Sequence, residues 1–105
     1  MTKKVRLAKP TPVLIQQALI GLGERLVMAR KARELTQADL ARLADVGIST
    51  VASLEGGHDG VAIANLLKVL SALKLLEQAH QLLQPERDPE MVRFALRALR
   101  RCSSS

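Results

Sequence analysis

Apolar positions along this chain recur mainly at three- and four-residue intervals, the period of helices that bury one face. The first such segment opens at Thr11-Pro12, with Thr as the expected N-cap and Pro at the first helical position. It carries Val13, Leu14, Ile15, Ala18, Leu19 and Leu22. Gly21 and Gly23 follow, each costing about 1 kcal/mol against Ala in an exposed helix interior, so a bend or break is expected near Gly21. Such a wide apolar face is expected to pack on the rest of the domain or on a second subunit. A second helix is expected over residues 22–34, with Leu22, Leu26, Ala29 and Arg33 on its period and Arg30 and Lys31 pointing elsewhere.

Residues 36–57, TQADLARLADVGISTVASLEGG, carry the densest local signals. Thr36 with Asp39 three residues on makes a variant of the capping box. Ala38, Leu40, Ala41 and Ala44 then share one side of a short helix. Asp45-Val46-Gly47 interrupts the pattern. In the helix that follows, Val51 and Leu54 are spaced to pack on the first, and Gly56-Gly57 ends it. Two short helices, a turn of about three residues and small side chains at the crossing describe a helix-turn-helix. Residues 61–76 predict a further helix with Ile63, Leu66, Leu67, Leu70 and Leu73 on its apolar face. Residues 77–83 predict a short fifth one with Leu82 and Leu83. After the breaker Gln84 to Pro89, residues 90–101 predict an amphipathic helix. Val92, Ala95, Leu96 and Leu99 form its apolar side, near Met91 and Phe94. Arg93, Arg97, Arg100 and Arg101 form a basic stripe.

The stretch Leu35-Thr36-Gln37, Leu40-Ala41, Ala44, Val46, Val51 and Leu54-Glu55-Gly56-Gly57 resembles the Xre family of helix-turn-helix proteins, the type of Cro and the lambdoid phage repressors. By family domain size the resemblance covers about residues 21 to 76. It implies a five-helix, lambda-repressor-like domain, here with an N-terminal helical extension and a C-terminal amphipathic helix. It implies that residues 47–55 form the recognition helix, with Ile48, Ser49, Thr50 and Ser53 set toward base edges in a major groove. It implies that Arg30 pairs with Glu55 while touching a phosphate, and that Gln37 bonds a phosphate or buttresses the recognition helix. Thr36 and Gly47, at helix N-termini, and His58 in the following loop complete the expected phosphate contacts. Glu34 departs from the family, many of whose members have Gly there. The base-facing set lacks Arg, Asn, Gln and Lys, the side chains that discriminate bases best, so modest direct readout aided by DNA shape is expected.

Composition sharpens this picture. The chain has 105 residues, 48% of them apolar, and Phe94 is its one aromatic residue, which favours an all-α core of Leu, Val, Ile and Ala. No apolar run reaches the eighteen or more residues of a membrane span, and no secretion signal is read at Thr2-Lys3-Lys4. One cysteine, Cys102, fits a reducing cytoplasm. The net charge of +6 resides at the two ends, because residues 21–83 carry seven cations against seven anions. Lys3, Lys4, Arg6 and Lys9 lie in residues 1–10, expected as a flexible basic arm that either solubilises the chain or follows a phosphate backbone or minor groove.

The expected layout is an arm over residues 1–10, a helix-turn-helix domain with its extension over 11–83, a linker over 84–89, and a basic helix and tail over 90–105. The function this favours is a dimeric DNA-binding repressor on a palindromic operator. Size and layout also resemble the HipB-like antitoxins of type II toxin–antitoxin pairs, whose partner is a kinase toxin of the HipA type. The alternative is a protein-interaction module that neutralises a partner with little specific DNA reading. The stripe Arg93, Arg97, Arg100 and Arg101 suits an acidic partner groove or DNA phosphates. No enzyme motif, metal-ligand spacing or cofactor signature is present, and neither cofactor nor membrane attachment is expected.

Overall fold

The computed structural model describes residues 9–103, all of whose regular elements are helical. Except for Lys9 and Pro10, the expected basic arm lies outside the described residues. The helices are α1 (Val13–Ala32), α2 (Gln37–Ala44), α3 (Ile48–Glu55), α4 (Ile63–Ala72), α5 (Leu76–Ala79) and α6 (Pro89–Ser103), with a 3-10 turn at Pro85–Arg87 before α6. The chain divides between Lys74 and Leu75 into two compact units.

The first unit is built around α2. Its N-terminus carries the complete capping box. Thr36 Oγ1 accepts from Asp39 N at 3.0 Å, and the Thr36 N–H donates to Asp39 Oδ2 at 2.9 Å. At its other end Asp45 adopts a left-handed backbone (φ 57°), which turns the chain into α3. Eight residues are too few to hold a helix alone, so α2 depends on packing against α3 and α4. It buries Leu40, Ala41 and Ala44 in a core shared with Leu26 of α1, Val51 of α3, and Val69 and Leu73 at α4. Ala38, expected on this side, faces out.

Four other expectations are corrected. α1 runs without a break through Gly21 and Gly23. The reason is tertiary: a Cβ on Gly23 would lie 2.4 Å from the Glu55 carbonyl oxygen, so this glycine is where α1 and the end of α3 meet. Thr11 is not the cap of α1. Pro12 takes the N-cap position, and the Thr11 hydroxyl donates instead to the Asp59 carboxylate. In α4, Ile63 (74% exposed) and Leu67 face solvent, while Val69, absent from the expected face, is buried. The apolar side of this helix is wide, with Asn65, Lys68 and Ser71 opposite it, so periodicity alone did not select which part of that side turns inward. Arg33 is also off the buried period: it is exposed and donates to the Ala29 carbonyl at 2.7 Å.

In the second unit the expected helix over residues 77–83 is a single turn, α5, followed by turns in which Leu82 and Leu83 are exposed and Leu83 has φ 58°. α6 begins where Asp88 Oδ1 accepts from the Glu90 N–H at 3.2 Å. Glu90 and Arg93 pair along its first turn.

Candidate nucleic-acid interface

α3 offers two kinds of surface. Val51 is buried against α2, while Ile48 and Ser49 are exposed at the N-terminal end and Thr50 and Ser53 are half-buried. Of the four expected base-facing residues, Ile48 and Ser49 thus have the freest reach. Gly47 occupies the N-cap with an extended backbone (φ −74°) and no side-chain cap. Its carbonyl accepts from Thr50 N at 3.0 Å and from Val51 N at 3.3 Å. A Cβ here would meet nothing closer than 3.7 Å, so neither conformation nor crowding demands glycine at this position.

The other end of α3 is locked by a buried ion pair. Arg30 Nε donates to Glu55 Oε2 at 2.6 Å and Nη2 donates to Oε1 at 3.0 Å. The two side chains are 10% and 6% exposed. Arg30 Nη1 donates to the Leu35 carbonyl at 2.8 Å, and Gln37 Nε2 donates to Glu55 Oε1 at 2.9 Å. The Arg30–Glu55 pair therefore ties together α1, the α1–α2 turn, the first residue of α2 and the last residue of α3. Burial pushes the Glu55 carboxyl up, but the hydrogen bonds from Arg30 and Gln37 and the positive charges of Arg30 and Lys31 outweigh it. Its pKa consequently lies below the ordinary value. The Glu55 hydrogen bond raises Arg30 in turn, against the opposing effect of burial. Such a pair is costly to break, because removing one partner strands the other charge. With three nitrogens committed inside the protein, Arg30 acts here as a strut between helices.

The N-terminus of α2 lies beside this lock, with Gln37 held by Glu55 and Thr36 engaged in the capping box. Asp39 is lowered from its ordinary pKa by the hydrogen bonds from the Thr36 backbone and side chain and from Arg42. Lys31 is a cation that sequence reasoning passed over. It is exposed and close enough to Glu55 to act on its ionisation. Its adjacency to Arg30 was the available signal.

Beyond α3 the chain turns through Gly56 and Gly57. Gly57 has φ +75°, and a Cβ on it would lie 2.8 Å from Ile20 Cα, so conformation and crowding both require glycine. Gln16 Nε2 donates to the Gly57 carbonyl at 3.0 Å, and the His58 N–H donates to the Ser53 carbonyl at 3.0 Å. With the Thr11–Asp59 hydrogen bond, the first half of α1 and the segment before it clamp the loop after α3. Periodicity carried no sign of this clamp, because it is made by polar side chains and backbone. His58 is exposed on the loop.

Arg93, Arg97, Arg100 and Arg101 are exposed on α6 in the second unit. Among the described residues no three of His, Cys, Asp and Glu are grouped to hold a metal ion, and no described helix is long and apolar enough to cross a membrane.

Compared with known families, residues 26–77 match the model of a family described as helix-turn-helix. No curated protein matches the chain.

Proposed function

Residues 26–77 belong to the helix-turn-helix family of the Xre and lambda-repressor type, a DNA-binding domain of transcriptional regulators, and on that premise we propose that the chain is a sequence-specific repressor acting as a dimer on a palindromic operator. The observation that carries this reading is the orientation of α3. Its C-terminal end is tied down through Glu55 to Arg30 and Gln37, while Ile48 and Ser49 project freely at the other end. A rigid helix with an exposed N-terminal tip is what major-groove reading needs. Ser49, Thr50 and Ser53 offer hydroxyls to base edges, and Ile48 offers an apolar contact for a thymine methyl. Thr36, Gln37, Gly47, Lys31 and His58 would face phosphates, with Arg30 acting through Glu55. Two copies would set their recognition helices about 34–36 Å apart on successive major grooves.

A second reading is favoured by α6, which carries apolar side chains in the open: Phe94, Leu96 and Leu99 are each more than half exposed. An amphipathic helix of this kind suits a protein partner, and in this reading the chain is a HipB-like antitoxin whose α6 engages a HipA-like kinase toxin.

Fluorescence anisotropy of the full chain on the DNA upstream of its own gene and on scrambled DNA tests the first reading. Tighter binding to its own DNA that survives moderate salt is the expected result. Equal affinity for both, lost steeply with salt, would leave the protein-interaction reading in its place.

A further inference from the structure

We infer that the groove between α2 and α4 is a docking site for an acidic peptide segment of a protein partner, held by an apolar anchor and by carboxylates on either side of it. The site goes beyond the DNA-binding reading and is built from residues of the first unit alone.

The groove has a volume of about 440 Å³ and is lined by Leu43 and Ala44 of α2, Lys68, Ser71 and Ala72 of α4, and Lys74 just beyond α4. Leu43 takes no part in the inner side of α2, which is Leu40, Ala41 and Ala44, and it is 60% exposed. Ala44 and Ala72 lie deeper, while Lys68, Ser71 and Lys74 are exposed. A groove whose walls are this open is shallow. It suits one or two side chains presented by a peptide better than a small molecule enclosed on most sides.

Charge identifies the occupant. The lining holds two ammonium groups, a hydroxyl and no carboxylate. Asp39 of α2 is committed to the capping box and to Arg42, and Asp45, which follows Ala44, is not part of the lining. Among the described residues neither Lys68 nor Lys74 forms an ion pair. Lys68, Ser71 and Ala72 stand at i, i+3 and i+4 and so share one face of α4. Lys74 holds φ 65°, the left-handed conformation in which glycine is ordinarily found after a helix. A lysine there carries a conformational cost that glycine would avoid, and its side chain lines the groove. An apolar floor flanked by two positive charges complements an apolar side chain flanked by Asp or Glu. A phosphate backbone would meet the lysines but leave Leu43, Ala44 and Ala72 without an apolar contact. Position agrees with a peptide as well. At 1.5 Å per residue, Leu43 lies about 9 Å along α2 from Gln37, so a partner seated there leaves the expected phosphate contacts at the start of α2 uncovered.

The test uses the full chain and a fluorescein-labelled peptide in which a pair of leucines is flanked by glutamates, beside a second peptide whose glutamates are replaced by glutamines. Anisotropy without DNA gives both affinities for the unaltered chain, for Leu43→Ala and for K68Q/K74Q. The unaltered chain is expected to bind the acidic peptide about three- to tenfold more tightly than the glutamine peptide, as two exposed charge contacts allow. In K68Q/K74Q that preference is expected to vanish while the glutamine peptide binds as before. Leu43→Ala is expected to weaken both peptides about three- to tenfold, through lost apolar contact. All three side chains are exposed, so the melting temperature should not move. No binding of the acidic peptide, or a preference that survives in K68Q/K74Q, would overturn the inference. So would a loss of affinity of K68Q/K74Q for the upstream DNA, which would assign the lysines to phosphates. A dimer that Leu43→Arg converts to monomer in sedimentation would assign the groove to a second copy and overturn it likewise. Because the peptide titrations contain no DNA, a chain that fails to distinguish its own DNA would end the repressor reading and leave this site standing.

Discussion

α2 and α6 make opposite use of helical amphipathicity. α6 is fifteen residues long and separates its side chains cleanly, with Met91, Val92, Phe94, Ala95, Leu96, Ala98 and Leu99 on one side and Glu90, Arg93, Arg97, Arg100 and Arg101 on the other. Yet Phe94 is 66% exposed. α2 has only eight residues and modest apolar bulk, and its Leu40 is completely buried. Strength of pattern therefore does not measure burial. What closes the first unit is the fit of small residues at crossings: Ala41 and Ala44 on α2, Gly23 on α1 and Gly57 after α3. These let backbones approach closely, and the buried charge pair then fixes one arrangement of them.

Breaking the lock tests that contrast most severely. Arg30→Ala strands the Glu55 carboxylate and is expected to destabilise the protein by about 3–5 kcal/mol in chemical denaturation. A loss below about 1 kcal/mol would show that the pair is solvated in solution. The same pair sets an acid dependence. Folding lowers the Glu55 pKa, so its contribution is complete above the ordinary value of 4.5 and is lost as pH falls through the lower folded value. The stability difference between the unaltered chain and Glu55→Gln should therefore shrink below about pH 4.5.

Next in size is a sign reversal between neighbouring glycines. Helix propensity predicts that Ala stabilises either position by up to about 1 kcal/mol. At Gly23 the new methyl meets the Glu55 backbone, so Gly23→Ala should cost about 1–3 kcal/mol. Gly21→Ala, with only the Arg25 side chain nearby at 3.4 Å, should be neutral or stabilising. Thermal melts that moved both variants the same way would refute the close-crossing account.

Smaller effects sharpen the picture further. Glu34 holds a left-handed backbone at φ 57° beyond the end of α1, so Glu34→Gly should raise stability by about 1 kcal/mol. Its departure from the family glycine is thus a matter of cost, not of shape: the turn forms with a residue that is strained in it. Least of all, Phe94→Ala on α6 should change the denaturation midpoint by less than the equivalent of about 0.5 kcal/mol. A larger loss would mean that a second copy or another surface covers α6 in solution.

Much of the DNA-reading unit was legible because it is specified locally. The Thr36–Asp39 box, the interruption at Asp45-Val46-Gly47 and the stop at Gly56-Gly57 act over three or four residues, within reach of sequence patterns. The Arg30–Glu55 pair, separated by twenty-five residues, was accessible only through the family resemblance. The Gln16 contact went unread, and Thr11 was given a cap in place of its true partner, because a polar side chain binding a distant carbonyl or carboxylate leaves no periodic trace.

By itself the sequence determined that the chain is helical, where α2 and α3 begin and end, and which residues stand at the tip of α3. These follow from capping, propensity and period, which are properties of neighbouring residues. Only the tertiary structure decided that α1 continues through two glycines, that Val69 and not Ile63 turns inward, and that the segment before α1 is fastened to the loop after α3. Each of these depends on what lies across the fold. Position 23 requires glycine because the end of α3 leaves no room for a side chain. The apolar side of α4 is wide, and packing against α2 decides which part of it is innermost. The hydroxyl of Thr11 caps no helix because a carboxylate forty-eight residues away accepts it.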